Sequence, residues 1–508
     1  MIVFLVEALC TLVHLLALTV HADVQVPINS NWNSGFQGDA CFDITSELHS
    51  WNITMTFDLP VLSLETWTAD VVEIREGGKV FVLQNKEWNK EEHVGDKLCL
   101  GFQGHTNGDM VPKLTASISG LPNGGSNDPT TTYTSIDVTV PFSDVSTTTL
   151  SPVVRNRLVI DGNHFTYNGK RIFLSGGNLP WISYAHDFGD GQFQSIKNQL
   201  EEQLKKLHEA GGNSLRLWIH VQGETSPAFD SNGMVTGLDT KGTFLDDFKE
   251  LLRLALQYNI FLFPTLWNAG VDQDPHHRLD GLLRDSSKLQ SYIDNALTPL
   301  VKSVNAHPAL GGWDIMHEPE GMLNPDVNND EPCFNTTFLL NSGVGWAVKK
   351  YDYEQILRFL NWQAAAIKAV DTNNIVSVGV WNPKSNTDQF GMFDFYSDSC
   401  LVKAGGKPLG VMDFFQYHSN SWHGVFDDVS PFKHSSSDYK VNKPILIGGF
   451  WETDGGGMTI TQMFDYVYKH GYAGAWSWDL LGEGDSQRAA IAHIKDYTDN
   501  GQIPIVLQ

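Results

Sequence analysis

The spacing of apolar residues divides this chain into three stretches of different period. Over 23–121, short runs that alternate apolar and polar residues (51–57, 69–74, 79–83 and 97–102) are separated by Gly and Asn. A two-residue period buries one face of a strand, so this stretch predicts a small all-β sandwich. Over 122–153 the period is lost in Gly, Asn, Pro, Ser and Thr, with Thr-rich tracts at 130–134 and 147–149. Such a tract buries too little apolar surface to offset the entropy of ordering, and it is expected to act as a linker. Over 154–508, runs of strand length at 172–175, 214–220, 260–266, 312–317, 376–380, 412–418, 445–450 and 474–478 alternate with helical periodicities. The helices are predicted at 196–210, 245–258, 289–305, 353–370, 460–470 and 485–497. Eight strand-and-helix units in about 350 residues predict a (β/α)8 barrel, with a doubly wound sheet as the lesser alternative. The expected fold class is α/β, a TIM barrel preceded by a small all-β sandwich.

Residues 1–22 are apolar and end in Val20-His21-Ala22, a small-x-small cleavage pattern, so a secretory signal peptide is expected even though the segment holds Glu7 and no Lys or Arg. No later apolar run is long enough to span a bilayer. Secretion changes the reading of the cysteines. Cys10 leaves with the signal, and Cys41, Cys99, Cys333 and Cys400 remain, an even number for an oxidising compartment. Pairing within each domain, Cys41 with Cys99 and Cys333 with Cys400, is the simplest of the connectivities. Asn52-Ile53-Thr54 and Asn335-Thr336-Thr337 are glycan acceptor sequons. With 59 acidic against 34 basic residues, a net charge of −25 repels nucleic acid and anionic membranes and suits a neutral polysaccharide. The 15 Trp supply flat faces for sugar rings. In the sandwich, Trp32, Trp51, Trp67 and Trp88 are too many for so small a core, and an outward sugar platform is expected.

In a parallel barrel, chemistry sits where strands give way to loops. The run from Gly312 to Glu320 reads as a buried strand ending in Glu318-Pro319, which makes Glu318 a candidate acid or base. The other strand ends carry Asn178 with Trp181, Arg216 with Trp218 and His220, Trp267, Trp381, His418, and Trp476 with Trp478. An Arg inside a barrel strand is costly unless paired, so Arg216 is expected to meet a carboxylate or a sugar hydroxyl. Trp181, Trp218, Trp267, Trp381, Trp422 and Trp478 would line a cleft for successive sugar rings. The adjacent His276 and His277 point apart in a helix or strand and have no third ligand at a suitable spacing, so neither a metal nor a cofactor is expected.

Several motifs then sharpen the picture: Leu174-Ser175-Gly176-Gly177-Asn178, Asn213-Ser214-Leu215-Arg216-Leu217-Trp218, Gly223-Glu224-Thr225-Ser226-Pro227, Trp313 through Gly321, Pro332-Cys333-Phe334-Asn335 and Gly474-Ala475-Trp476-Ser477-Trp478. They resemble the endo-β-1,4-mannanases of glycoside hydrolase family 5, in their animal and especially molluscan form, and the likeness runs from about Arg155 to the end. Asn31 through Gly38, Glu87-Trp88-Asn89 and Cys99-Leu100-Gly101-Phe102 resemble the carbohydrate-binding modules of family 2. The first likeness implies Glu318 as general acid/base, Arg216 and His418 as supports for sugar and nucleophile, and Trp478 as the platform under the reacting ring. It also implies a second carboxylate, about 5–5.5 Å from the first, that attacks the anomeric carbon.

In the family that carboxylate closes the seventh strand as Ile-Gly-Glu-Phe, whereas this chain has Ile447-Gly448-Gly449-Phe450. The family's Asn before the acid/base is His317 here, and its Tyr two residues after the sixth-strand His is Asn420. The expectation is a secreted protein that recognises β-mannan, and cellulose or chitin through its module, with turnover impaired rather than intact. Two alternatives stay open. One is an active retaining endo-β-1,4-mannosidase in which a displaced carboxylate such as Glu452, roughly 10 Å of extended chain beyond Gly449, replaces the nucleophile. The other is a structural matrix protein that attaches to polysaccharide through both domains.

Overall fold

The computed structural model describes residues 24–119, 156–269, 276 and 278–508, apart from 33–34, 67, 87–88, 107–110 and 483. The expected signal peptide (1–22) and linker (122–153) lie outside the described residues, as do Trp67, Trp88, His277 and the side chain of Trp32. The chain divides into two compact units, Met1–Val145 and Ser146–Gln508.

The first unit is a sandwich of two antiparallel sheets. One has five strands in the order Val24–Val26, Leu114–Ile118, Asn52–Phe57, Val80–Asn85 and Ala69–Arg75; the other has four, Ile28–Trp32, Gly35–Asp43, Lys97–His105 and Ser63–Thr66. Alternate residues point inward, and Phe36, Met55, Leu83, Leu100 and Phe102 meet in the core. Cys41 stands opposite Cys99 on the neighbouring strand and is disulfide-bonded to it. Trp51 departs from the expected platform. It shares the inward phase of Ile53, Met55 and Phe57, is only 1% exposed, and donates its indole N–H to the Asn89 carbonyl at 2.8 Å. Its ring is core, not sugar-facing surface.

The second unit is a closed barrel of eight parallel strands: Leu174–Leu179, Ser214–Val221, Phe261–Asn268, Trp313–His317, Val376–Val380, Phe415–His418, Ile445–Gly449 and Gly474–Ser477. The first strand begins later than its apolar run because Ile172 belongs to a separate hairpin layer, Lys170–Ile172 paired with His164–Tyr167. Around the barrel, helices such as Phe244–Gln257 bury one stripe (Phe244, Phe248, Leu251, Leu252, Ala255) and leave the other to solvent. Each such large side chain contributes about 1.5–3 kcal/mol. Helix ends are set locally. Thr459 caps Ile460–Lys469 through a reciprocal box with Gln462, each side chain accepting from the other's backbone N–H. The helix predicted at 289–305 is interrupted: α-helical Ser286–Tyr292 widens into a π turn, Ile293–Leu297, before resuming as Thr298–Val304. Pro299 lacks the N–H that a regular turn would donate there, and the wider turn accommodates its ring. A second disulfide joins Cys333, in the long loop after the fourth strand, to Cys400 in the helix Asp398–Gly405.

Candidate active site

Strand register places the polar residues of the barrel mouth in one layer. Asn178 pairs with Arg216, Thr265 with Asp314, His317 with Gly379, and His418 with Gly449. Arg216 is fully buried, and its expected carboxylate partner is Asp314: Nε and Nη2 donate to Oδ2 at 2.8 and 2.5 Å, with Thr265 Oγ1 donating to the same oxygen at 2.8 Å. Burial raises the Asp314 carboxyl, and the guanidinium and the Thr265 hydroxyl oppose that rise. The remaining guanidinium nitrogen donates to Asn178 Oδ1 at 3.0 Å. The amide nitrogen of Asn178 in turn donates to the carbonyls of Gly448, Trp476 and Ser477, where the last two strands meet the first. Gly379 is required by this arrangement. A Cβ there would lie 2.5 Å from Arg216 Nη2 and 3.1 Å from His418 Cε1.

Glu318 stands at the rim of this layer. Its backbone is in the left-handed region (φ 47°, ψ 58°), a conformation a non-glycine residue holds only where its surroundings impose it. Here its N–H is tied to the Gly379 carbonyl at 2.7 Å on one side and Pro319 follows on the other. The twist turns the carboxyl between two imidazoles. His418 Nδ1 donates to Oε1 at 2.8 Å, and His317 Nε2 lies 3.6 Å from Oε2. Burial, with Arg216 adding to it, holds the His418 imidazole well below its ordinary range, and burial lowers that of His317 to about 3, against the opposing pull of Glu318. Both rings are neutral at neutral pH. Nε2 of His418 is buried and has no hydrogen-bond partner among the described residues.

His317 is sandwiched between His418 and the indole of Trp478, which it stacks at 5.8 Å and 14°. Gly449 reaches the partly exposed end of the seventh strand, and a Cβ built on it would lie 3.1–3.2 Å from Cγ and Cδ2 of His418. Trp478 and Trp181 are half-buried above Trp218, which is itself only 1% exposed and covers the Arg216 guanidinium at 4.3 Å. Trp218 is thus the floor of the aromatic group and not one of its open faces. Trp381 is half-buried beside Trp346, ring centroids 5.8 Å apart, and Trp422 is 79% exposed.

Two residues expected at the mouth, Trp267 and His220, pack among the helices instead. Trp267 is fully buried, donates its N–H to Gln363 on the helix Tyr353–Val370, and packs on Tyr292 and Phe359. The second strand takes three residues from Trp218 to Val221 where the third takes two from Thr265 to Trp267, and past this bulge His220 turns to the helices beside Trp267. His220 packs on Phe244, Trp267 and Tyr292, where burial pushes its imidazole down to about 3. Asn420 is exposed in the loop beyond the sixth strand, and Glu452 is exposed in a turn whose backbone oxygen accepts from Gly455.

Sequence reasoning missed Asp314, Glu320 and Trp346. An acidic residue in the middle of an apolar strand was the available signal for Asp314, whereas Trp346 lies in an irregular loop that carries no period. Glu320 is fully buried. Ser385 Oγ and Tyr396 OH donate to Oε1 at 2.6 and 2.8 Å, and the Trp381 amide donates to Oε2 at 3.2 Å. Burial outweighs these donors and pushes the carboxyl up to about 7. A carboxyl raised in the folded state stabilises the fold fully below its unfolded value, and that contribution is lost as pH rises through 7, by about 3 kcal/mol. Glu320→Gln, which does not titrate, is expected to remove this fall. Thermal unfolding of both proteins at pH 5 and pH 8.5 reads it, and an equal drop in both would clear Glu320 of the effect.

The sequence model of a family described as "Cellulose binding domain" (CBM_2) matches residues 22–122. Over 348 residues the chain is 47% identical to a mannan endo-1,4-β-mannosidase of Mytilus edulis, covering 68% of this chain and 94% of that relative. It is 41% identical over 329 residues to another from Cryptopygus antarcticus, covering 65% and 85%. Among solved structures, the β-1,4-mannanase of the sea hare Aplysia kurodai is 64% identical and matches with a TM-score of 0.68 over 69% of this chain and 100% of its own. With Glu318, Arg216 and His418 at the mouth of an eight-stranded barrel, and this degree of identity over nearly the whole length of its relatives, the chain belongs to the animal mannan endo-1,4-β-mannosidases of glycoside hydrolase family 5 and carries a cellulose-binding-type domain ahead of the barrel.

Proposed function

We propose that this protein is secreted, binds β-mannan in the barrel cleft and cellulose or chitin through its first domain, and does not turn mannan over at a rate ordinary for glycosidases. One observation carries this reading: the seventh strand ends in Gly449, which offers no carboxylate to attack the anomeric carbon. The acidic groups of the surrounding framework are committed elsewhere. Asp314 is buried against Arg216, Glu320 is buried among Ser385, Tyr396 and Trp381, and Glu452 points to solvent from a turn. Glu318 keeps the acid/base position, Arg216 and His418 hold the framework around it, and Trp478 and Trp381 offer faces for sugar rings. His317 occupies the place of the Asn that would bind the sugar 2-hydroxyl. Glycans on Asn52 and Asn335 belong to the same reading of a secreted chain.

Loss of a covalent nucleophile removes many powers of ten from turnover and leaves ground-state binding comparatively untouched. Calorimetry with manno-oligosaccharides is therefore expected to show binding, and a reducing-sugar assay on mannan to show negligible release. Turnover at about 1–1000 per second would overturn the proposal, as would an absence of affinity for manno-oligosaccharides. Were turnover seen, its loss in Glu452→Gln would assign it to a displaced carboxylate.

A further inference from the structure

The fourth and sixth strands deliver three metal-ligating side chains to one point. One donor atom from each of His317, Glu318 and His418 falls within 4.8 Å of the other two. We propose that these three residues bind a divalent transition-metal cation of the zinc or copper class at the bottom of the cleft. The adjacent pair His276 and His277 has no third ligand at a suitable spacing, whereas His418 lies a hundred residues from Glu318 in the chain and is joined to it by the barrel.

The donor atoms lie near enough to one another to share a cation. Ligand bonds of about 2.0–2.2 Å in a tetrahedron place donor atoms roughly 3.3–3.5 Å apart. The observed separations are 2.8 Å from His418 Nδ1 to Glu318 Oε1 and 3.6 Å from His317 Nε2 to Glu318 Oε2, so the carboxyl turns on loading to present one oxygen to both rings. Two imidazoles and one carboxylate form a donor set for borderline transition cations with one position left open. Calcium and magnesium, which take oxygen donors, are disfavoured. The side chains of His317 and Glu318 are 18% and 17% exposed, so a cation has a path in from the mouth, whereas His418 closes the site from below at 2%.

Coordination by His317 through Nε2 places its hydrogen on Nδ1, which faces the Arg216 guanidinium at 3.5 Å and finds no acceptor in it; the feature that favours the loaded form lies at His418. For His418, coordination through Nδ1 moves the ring hydrogen to Nε2, which is now without a partner. The carbonyl of Gln416, equally without one, lies on the same side: the two atoms are 3.3 and 3.1 Å from the Cβ position of Gly448. A ligating histidine requires such an outer acceptor. The inference does not rest on the reading of turnover above, but the loaded cation would occupy Glu318 and keep it from donating a proton.

The test is a calorimetric titration of the chelator-stripped, full-length chain with Zn2+, together with the visible absorption of its Co2+ form. One equivalent is expected, with the d–d bands of a low-coordinate site. His317→Asn and, separately, Glu318→Gln are each expected to weaken binding at least tenfold and to remove the bands, while His276→Ala with His277→Ala changes neither. Circular dichroism on each variant reports whether it is folded. Absence of one-equivalent binding, binding indifferent to both His317→Asn and Glu318→Gln, or loss confined to the His276 and His277 variant would overturn the proposal.

Discussion

Gly449→Glu combined with His317→Asn is expected to raise mannan hydrolysis over the native chain by roughly a thousandfold or more, since a missing nucleophile suppresses turnover by several powers of ten. Gly449→Glu alone is expected to gain less, for a reason visible in the packing. The new Cβ would lie 3.1–3.2 Å from Cγ and Cδ2 of His418, so the imidazole must give by a few tenths of an ångström. That ring is hydrogen-bonded to Glu318 at 2.8 Å, and any shift is passed on to the proton donor. Misplacement by about 1 Å costs around a hundredfold. Restoring Asn at 317 frees the crowded side of the carboxyl and returns a partner for the sugar 2-hydroxyl, an interaction that strengthens in the transition state. Azide or formate added to the native chain, acting on a mannoside with a good leaving group, should give a smaller gain by occupying the missing carboxylate's place. If none of these raises the rate, the seventh strand does not present residue 449 to the sugar.

The second large effect concerns stability. Arg216→Met is expected to cost the barrel about 3–5 kcal/mol, because it leaves Asp314 buried without its counter-charge. Both side chains of this pair are fully buried, so no solvent screens the loss. Arg216→Met with Asp314→Leu should recover most of it, since removing both charges also removes the burial penalty of each. Urea denaturation followed by tryptophan fluorescence measures both, and a loss below about 1 kcal/mol in the single variant would mean that water or other groups compensate the acid.

Much of this architecture can be read from the residues in order. Runs of four to eight apolar residues alternating with amphipathic helices define the barrel, and the helix Tyr353–Val370 and the strand Val376–Val380 fall where the periodicity places them. Glu318 is legible because a buried strand ends in Glu-Pro. What the pattern conceals is direction. Trp267 and Trp218 both lie near strand ends, yet one packs against the helices, and the other is roofed by Trp181 and Trp478. Trp51 obeys the two-residue period of its strand and so was legible as core; the excess of indoles in a small domain argued the wrong way. The convergence of His317 and His418 on one carboxyl is a tertiary fact. Neither residue's neighbours in sequence contain it, because the fourth and sixth strands bring them together only on closure.

The amide of Asn178 receives Arg216 on one side and holds the carbonyls of the seventh and eighth strands on the other. The polar groups that would serve a reaction here are therefore the same groups that lock the seam of the cylinder. A carboxylate at position 449 could be absent at little harm to the scaffold, whereas a single change at 178, 216 or 314 would leave a buried polar partner unmatched. The presence of those three residues thus answers to the demands of architecture, and an intact-looking framework is by itself no measure of whether the pocket works.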